Sequence, residues 1–173
     1  MSDRSALTLH VHDCPADQAA AVLAVIDENG LHLEWLDELP ADVLYAGRAY
    51  TDVEASVGSE DTVASALIEA APGCSFTVWQ DPKYEHDGEL VMHHPDLGRF
   101  DCRCDASGAP HIALHVVDAA VTHCVDLIPG ATVHHLASEL QRRLGVPWSC
   151  AFDRCEQRAI MPAGRAPAGE PPL

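Results

Sequence analysis

The sequence predicts an α+β domain. It starts with a ferredoxin-like βαββαβ unit over about residues 6–80, continues as an antiparallel β-meander over about 75–115, and ends in C-terminal helices. Three observations predict this. Apolar and polar residues alternate in short runs through the first two-thirds of the chain, the pattern of strands with one covered face. Turn formers divide those runs at regular spacing. Beyond His115 the apolar spacing changes from two to three and four, the period of a helix.

Taken in order, Ala6–His12 alternates, with Leu7, Leu9 and Val11 on one face and Thr8, His10 and His12 on the other. Asp13 stands where it would cap a helix, with Pro15 in the first turn. Ala19, Val22, Leu23 and Ile26 form that helix's apolar stripe, and Asn29-Gly30 is its stop. Leu31, Leu33 and Trp35 read as a strand, followed by the acidic turn Asp37-Glu38-Leu39-Pro40. Val43 to about Glu54 reads as one longer extended segment. Ser59 is expected to cap a second helix, with Glu60 and Asp61 in its first turn and Val63, Leu67 and Ala70 on its apolar face. Pro72-Gly73 ends it, and Ser75–Gln80 completes the β-α-β-β-α-β order.

The meander is punctuated by Asp81-Pro82, Asp87-Gly88, Pro95-Asp96-Leu97-Gly98 and Ser107-Gly108. Phe76 and Val78 share one face of its first run. In a later run Phe100, Cys102 and Cys104 face one way, with Arg99, Asp101, Arg103 and Asp105 opposite. Helical stripes follow at Val117, Val121 and Cys124, then at Val133, Leu136, Ala137, Leu140 and Leu144, with Pro129-Gly130 breaking between them. Pro147 starts a third helix carrying Trp148, Ala151, Phe152 and Cys155. This makes residues 1–160 a single domain. An echo between Leu9-His10-Val11-His12-Asp13 and Leu114-His115-Val116-Val117-Asp118 leaves the alternative of two related halves, 1–104 and 105–160. The Pro/Gly/Ala-rich residues 161–173 read as a disordered tail.

The chain of 173 residues carries a net charge of −17. Through Asp101 there are 20 acidic and 4 basic residues, and the rest has 7 and 6, so the acidity belongs to the first part. Such a field repels nucleic acid and anionic membrane, so no direct contact with either is expected. No apolar run approaches a membrane span, and MSDRSALTLH has no basic segment leading into an apolar core. Cytoplasmic residence is the expectation. Seven cysteines then read as free thiols.

Two groups of residues stand out as candidate sites. His10 and His12, two apart on a strand, project together as imidazoles suited to zinc, and Cys102 and Cys104 repeat that spacing in the meander. The simpler reading of the two cysteines is a core role beside Phe100. The loop after Gln80 is the second candidate. Trp79, Asp81, Tyr84, Glu85 and Asp87 place aromatic and acidic side chains on a long hairpin connection, a common position for partner binding. No nucleophile elbow, HExxH, P-loop or dinucleotide fingerprint is present. The function expected is therefore macromolecular binding without cofactor, with the acidic first part engaging a basic protein. The alternatives are a His/Cys metal-binding protein or metal-dependent hydrolase, and a homo-oligomeric structural module.

Overall fold

A computed structural model describes residues 3–33, 39–40, 42–84, 86–127, 132–153 and 157–163, the side chains of 124–127 and 136 excepted. Strand β1 (Arg4–Asp13) is the spine. After it come helix α1 (Ala19–Glu28) and strands β2 (His32–Leu33), β3 (Leu44–Ala46) and β4 (Ala49–Ser56). Helix α2 (Ser59–Ala70) leads into strands β5 (Ser75–Gln80), β6 (Gly88–His94), β7 (Gly98–Cys104) and β8 (Pro110–His111). Helices α3 (Leu114–Leu127), α4 (Val133–Arg143) and α5 (Val146–Phe152) and strand β9 (Arg158–Ile160) complete the described chain. Seven strands form one open sheet in the order β2-β4-β1-β5-β6-β7-β8, with every neighbouring pair antiparallel. The expected meander is the run β5 to β8.

The pleat sorts side chains to two faces. Leu7, Leu9 and Val11 of β1 pack with Phe76 and Val78 of β5 beneath Val22 and Ile26 of α1 and Val63 and Leu67 of α2. Each such buried side chain contributes about 2 kcal/mol, which makes this face the main source of stability. On the opposite face Leu90, Met92 and Cys104 pack under Trp148, with Trp79, Phe100, Cys102 and Phe152 around them. The Trp148 indole N–H donates to the Gly98 carbonyl at 2.8 Å, fixing α5 across the end of β7. Cys102 and Cys104 thus take the core role that their place beside Phe100 implies.

Several local expectations are corrected. Asp13 does not cap α1. It ends β1, accepts from the Cys14 backbone N–H and pairs with Arg158, while Gln18 occupies the cap position. Ser59 is the first residue of α2 rather than its cap, and its hydroxyl donates back to Ser56 O. The capping acceptor comes from another strand: Gln80 Oε1 accepts from the N–H groups of Gly58 and Ser59 at 2.8 and 3.3 Å. The extended segment 43–54 is two strands, because Gly47 turns the chain at φ +74°, a conformation glycine adopts without penalty. Strand β3 then leaves the main sheet and pairs with β9.

The two echoing segments are not equivalent. Leu9–Asp13 lies in the central strand, whereas Leu114–Asp118 opens α3. Of the tail, residues 161–163 are described, and Ala163 N–H donates to Ala16 O at 2.8 Å. The remainder of that tail, residues 164–173, lies outside the described residues, as do Trp35, Asp37, Glu38, Glu85, Pro129-Gly130 and Cys155.

Candidate functional site

Asp81 and Asp87, two of the residues flagged after β5, converge with others on a cleft of about 350 Å³ at one end of the sheet. Strand β5 delivers Asp81, whose N–H donates to Ala6 O at 2.8 Å, and the chain then reverses through a tight bridge. Lys83 and His86 exchange backbone hydrogen bonds at 2.9 Å in both directions. Tyr84 sits at the tip with φ +53° and is 87% exposed, its ring 5.7 Å from the Lys83 ammonium. Lys83 Nζ also donates to Arg4 O. The cleft takes Glu60 from the first turn of α2, Asp81 and Asp87 from the loop, and Glu89 from β6, with Arg103 of β7 on its wall.

Burial and mutual repulsion set the electrostatics. Glu60 is only 8% exposed, and burial raises its pKa, with Glu89 and Asp61 adding to the rise. Glu89 is raised by burial too, Arg103 opposing and Asp87 and Asp101 reinforcing. Asp81 is raised by burial, with Asp105 adding to it. The Trp79 indole N–H lies close enough to lower that pKa somewhat, without closing a hydrogen bond of ordinary geometry.

Cationic partners are spent elsewhere. Arg103 holds Asp87 at 2.5 Å, and Arg99 bridges Asp61 at 2.6 Å and Asp101 at 2.5 Å. Among the described residues, Glu60, Asp81 and Glu89 form no ion pair. Ser5 adds a second feature: it lines the cleft, is 6% exposed, and its hydroxyl makes no hydrogen bond among the described residues. A buried hydroxyl without a partner costs stability unless something supplies one. A buried carboxylate at Glu60, a half-buried one at Asp81, an exposed one at Glu89 and an unmatched hydroxyl suit a cationic group with several N–H donors.

The other flagged residues are placed as follows. His10 and His12 lie side by side on the sheet face opposite α1 and α2, with ring centroids 6.4 Å apart. His12 stacks on Phe152 at 4.1 Å, and its Nε2 is 2.8 Å from Thr77 Oγ1. Burial and neighbouring His10 lower its pKa to about 4, so it is neutral at pH 7. Cys102 and Cys104 are on the same face, but β5 and β6 intervene, which separates the pairs by about 14 Å at the usual strand spacing. The structure therefore does not bring the four together. Among the described residues no group of three His, Cys, Asp or Glu side chains is placed to hold a metal ion. Trp79 is also not beside Tyr84 at the loop tip. Its ring meets His10 at 5.1 Å on the opposite side of the sheet, and the backbone of Gly108 lies against it.

Sequence reasoning located Asp81 and Asp87 but missed Glu60, Glu89 and Ser5. Glu60 was readable only as a helix-start acid, and Glu89 as the exposed alternation partner of Leu90. Their meeting depends on α2 packing over β5 and β6, which no local pattern encodes.

An open, seven-stranded antiparallel sheet with helices on both faces makes this an α+β protein, with an acidic cleft at one end of the sheet. Residues 5–159 match the family described as "Protein of unknown function (DUF3145)", and the chain belongs to it. The match runs from within β1 to within β9. No curated protein and no solved structure matches the chain.

Proposed function

We propose that this protein acts by binding another macromolecule, taking a basic side chain of a protein partner into the acidic cleft, without chemistry of its own. The observation that carries this reading is the acidic lining of the cleft: Glu60 is buried and raised by burial and by Glu89, Asp81 and Glu89 are raised by burial as well, and none of the three forms an ion pair among the described residues, next to the unmatched Ser5 hydroxyl. A guanidinium or ammonium group relieves the repulsion and supplies donors at once. The exposed Tyr84 beside the cleft offers an aromatic contact to the same partner. The acidic field steers a cationic partner in and keeps nucleic acid and anionic lipid out. No helix among the described residues is long and apolar enough to cross a membrane. We place the activity in the cytoplasm.

The ferredoxin-like reading of the first half is part of the proposal. It is supported by the antiparallel order β2-β4-β1-β5, with α1 and α2 packing as neighbours. One observation favours a second reading, the homo-oligomeric module. Leu114, Val116 and Val121 of α3 and Val133 of α4 are exposed, an apolar surface that a second copy would cover. Light scattering separates that reading from the first, and elemental analysis of protein purified without a metal-affinity tag tests the zinc alternative.

The direct experiment is fluorescence anisotropy of a labelled Arg-rich peptide titrated with the protein. Affinity should fall on the order of ten-fold as salt rises from about 0.05 to about 0.3 M, because the contacts are screened over a Debye length. Binding that is indifferent to salt would rule the electrostatic reading out.

A further inference from the structure

We propose that Cys14 and Cys74 are a peroxide-oxidisable dithiol, a modification site closed over by the C-terminal strand. The register places them together. Asp13 of β1 pairs with Ser75 of β5 in an antiparallel ladder, so Cys14 and Cys74 stand one step beyond the last pair. Directly opposed residues in such a ladder have Cα atoms about 4.5–5.5 Å apart, inside the window a disulfide requires. Both belong to the same cluster of buried side chains, and both are free thiols. They are 3% and 0% exposed, in the core between β1, β5 and the helices.

The pair is asymmetric. The Cys14 thiol donates to Pro15 O at 3.3 Å and the Cys74 thiol to Ser75 O at 4.0 Å; the neighbouring Cys74 lowers the Cys14 pKa against the opposing effect of burial, while Cys14 and burial raise that of Cys74. Cys14, unlike Cys74, lines a cleft of about 500 Å³ together with Asp13, Gly73, Arg158 and Met161, wide enough for a small oxidant, and this makes Cys14 the attacking sulfur. The strand over this cleft is held by the Arg158–Asp13 ion pair and the bond from Ala163 N–H to Ala16 O. Cys102 and Cys104, by contrast, are pushed up to about 11 and about 12 by burial, which leaves them almost wholly as unreactive thiols at neutral pH.

The chemistry balances with hydrogen peroxide as oxidant. The Cys14 sulfur attacks one peroxide oxygen, the O–O bond breaks, and hydroxide leaves and is protonated to water, giving a sulfenic acid. The Cys74 sulfur then attacks the Cys14 sulfur, the S–S bond forms, and the sulfenic oxygen leaves as a second water. Two thiols and one peroxide give one disulfide and two waters.

The test is non-reducing peptide mapping of the full-length native protein after peroxide treatment. The expected result is an intramolecular Cys14–Cys74 link, with Cys102 and Cys104 still reduced. In Cys74→Ser, dimedone should trap a sulfenic acid at Cys14. In Arg158→Ala, linkage should proceed about three-fold faster or more, because the cover opens more often. Free Cys14 and Cys74 in folded wild-type protein whose exposed Cys150 has been oxidised would overturn the proposal, as would a link that appears only in denaturant. This mapping on wild-type protein decides the matter even if Cys74→Ser does not fold.

Discussion

Gln80 does the work of a helix cap from a position 21 residues after the helix start it serves. Its Oε1 accepts from Gly58 and Ser59, and its Nε2 donates to Ser56 O at 2.9 Å, so one buried amide closes the β4–α2 turn from β5. Gln80→Ala removes the acceptor of two N–H groups and leaves Ser56 O with the Ser59 hydroxyl alone, and should cost about 2 kcal/mol in urea denaturation. His12 carries a different signature. The unfolded chain protonates it below its ordinary 6.5, the folded protein only near 4, because burial and His10 disfavour the charge. Stability linked to His12 is thus present above 6.5 and is lost as pH falls from 6.5 to 4. The raised carboxylates Glu60, Asp81 and Glu89 act with the opposite sign. Comparison with His12→Gln isolates the histidine: between pH 7 and 5 the wild type should lose about 1–2 kcal/mol more than the variant. Parallel pH profiles would show that His12 is not the responsible group.

At the scale of elements, what the sequence revealed was what depends on neighbours in the chain. Alternation in Leu7, Leu9 and Val11 and in Phe76 and Val78 marked the strands and their buried face correctly, since periodicity follows from which side of one strand meets the core. The stripes of α1 and α2 were legible for the same reason. The pairing of β3 with β9 was not, because three-residue strands more than a hundred positions apart leave no periodic trace. Yet that pairing buries Ile160 in the main core beside Leu44. Ile160→Ala should therefore cost about 2–3 kcal/mol in chemical denaturation, a core penalty for a residue the sequence placed at the edge of a tail. A cost near zero would mean that β9 contributes no packing.

For the whole molecule, the sequence announced excess negative charge in its first hundred residues, but not its arrangement. Asp61 and Asp101 share Arg99, and Asp87 pairs with Arg103, while Glu60, Asp81 and Glu89 line one cleft without an ion pair among the described residues. Net charge alone makes any acidic protein attract basic peptides, so a general field and a built site must be separated. The decisive comparison uses two variants with the same change in charge. One is Glu60→Gln/Asp81→Asn/Glu89→Gln in the cleft, and the other is Asp17→Asn/Asp27→Asn/Glu28→Gln on exposed positions around α1. Titrated against the same Arg-rich peptide at fixed salt, the cleft variant should bind about ten-fold more weakly than wild type, a difference of about 1.4 kcal/mol, while the α1 variant stays close to wild type. Equal losses in the two variants would contradict the account, because the peptide would then be sensing only the overall charge.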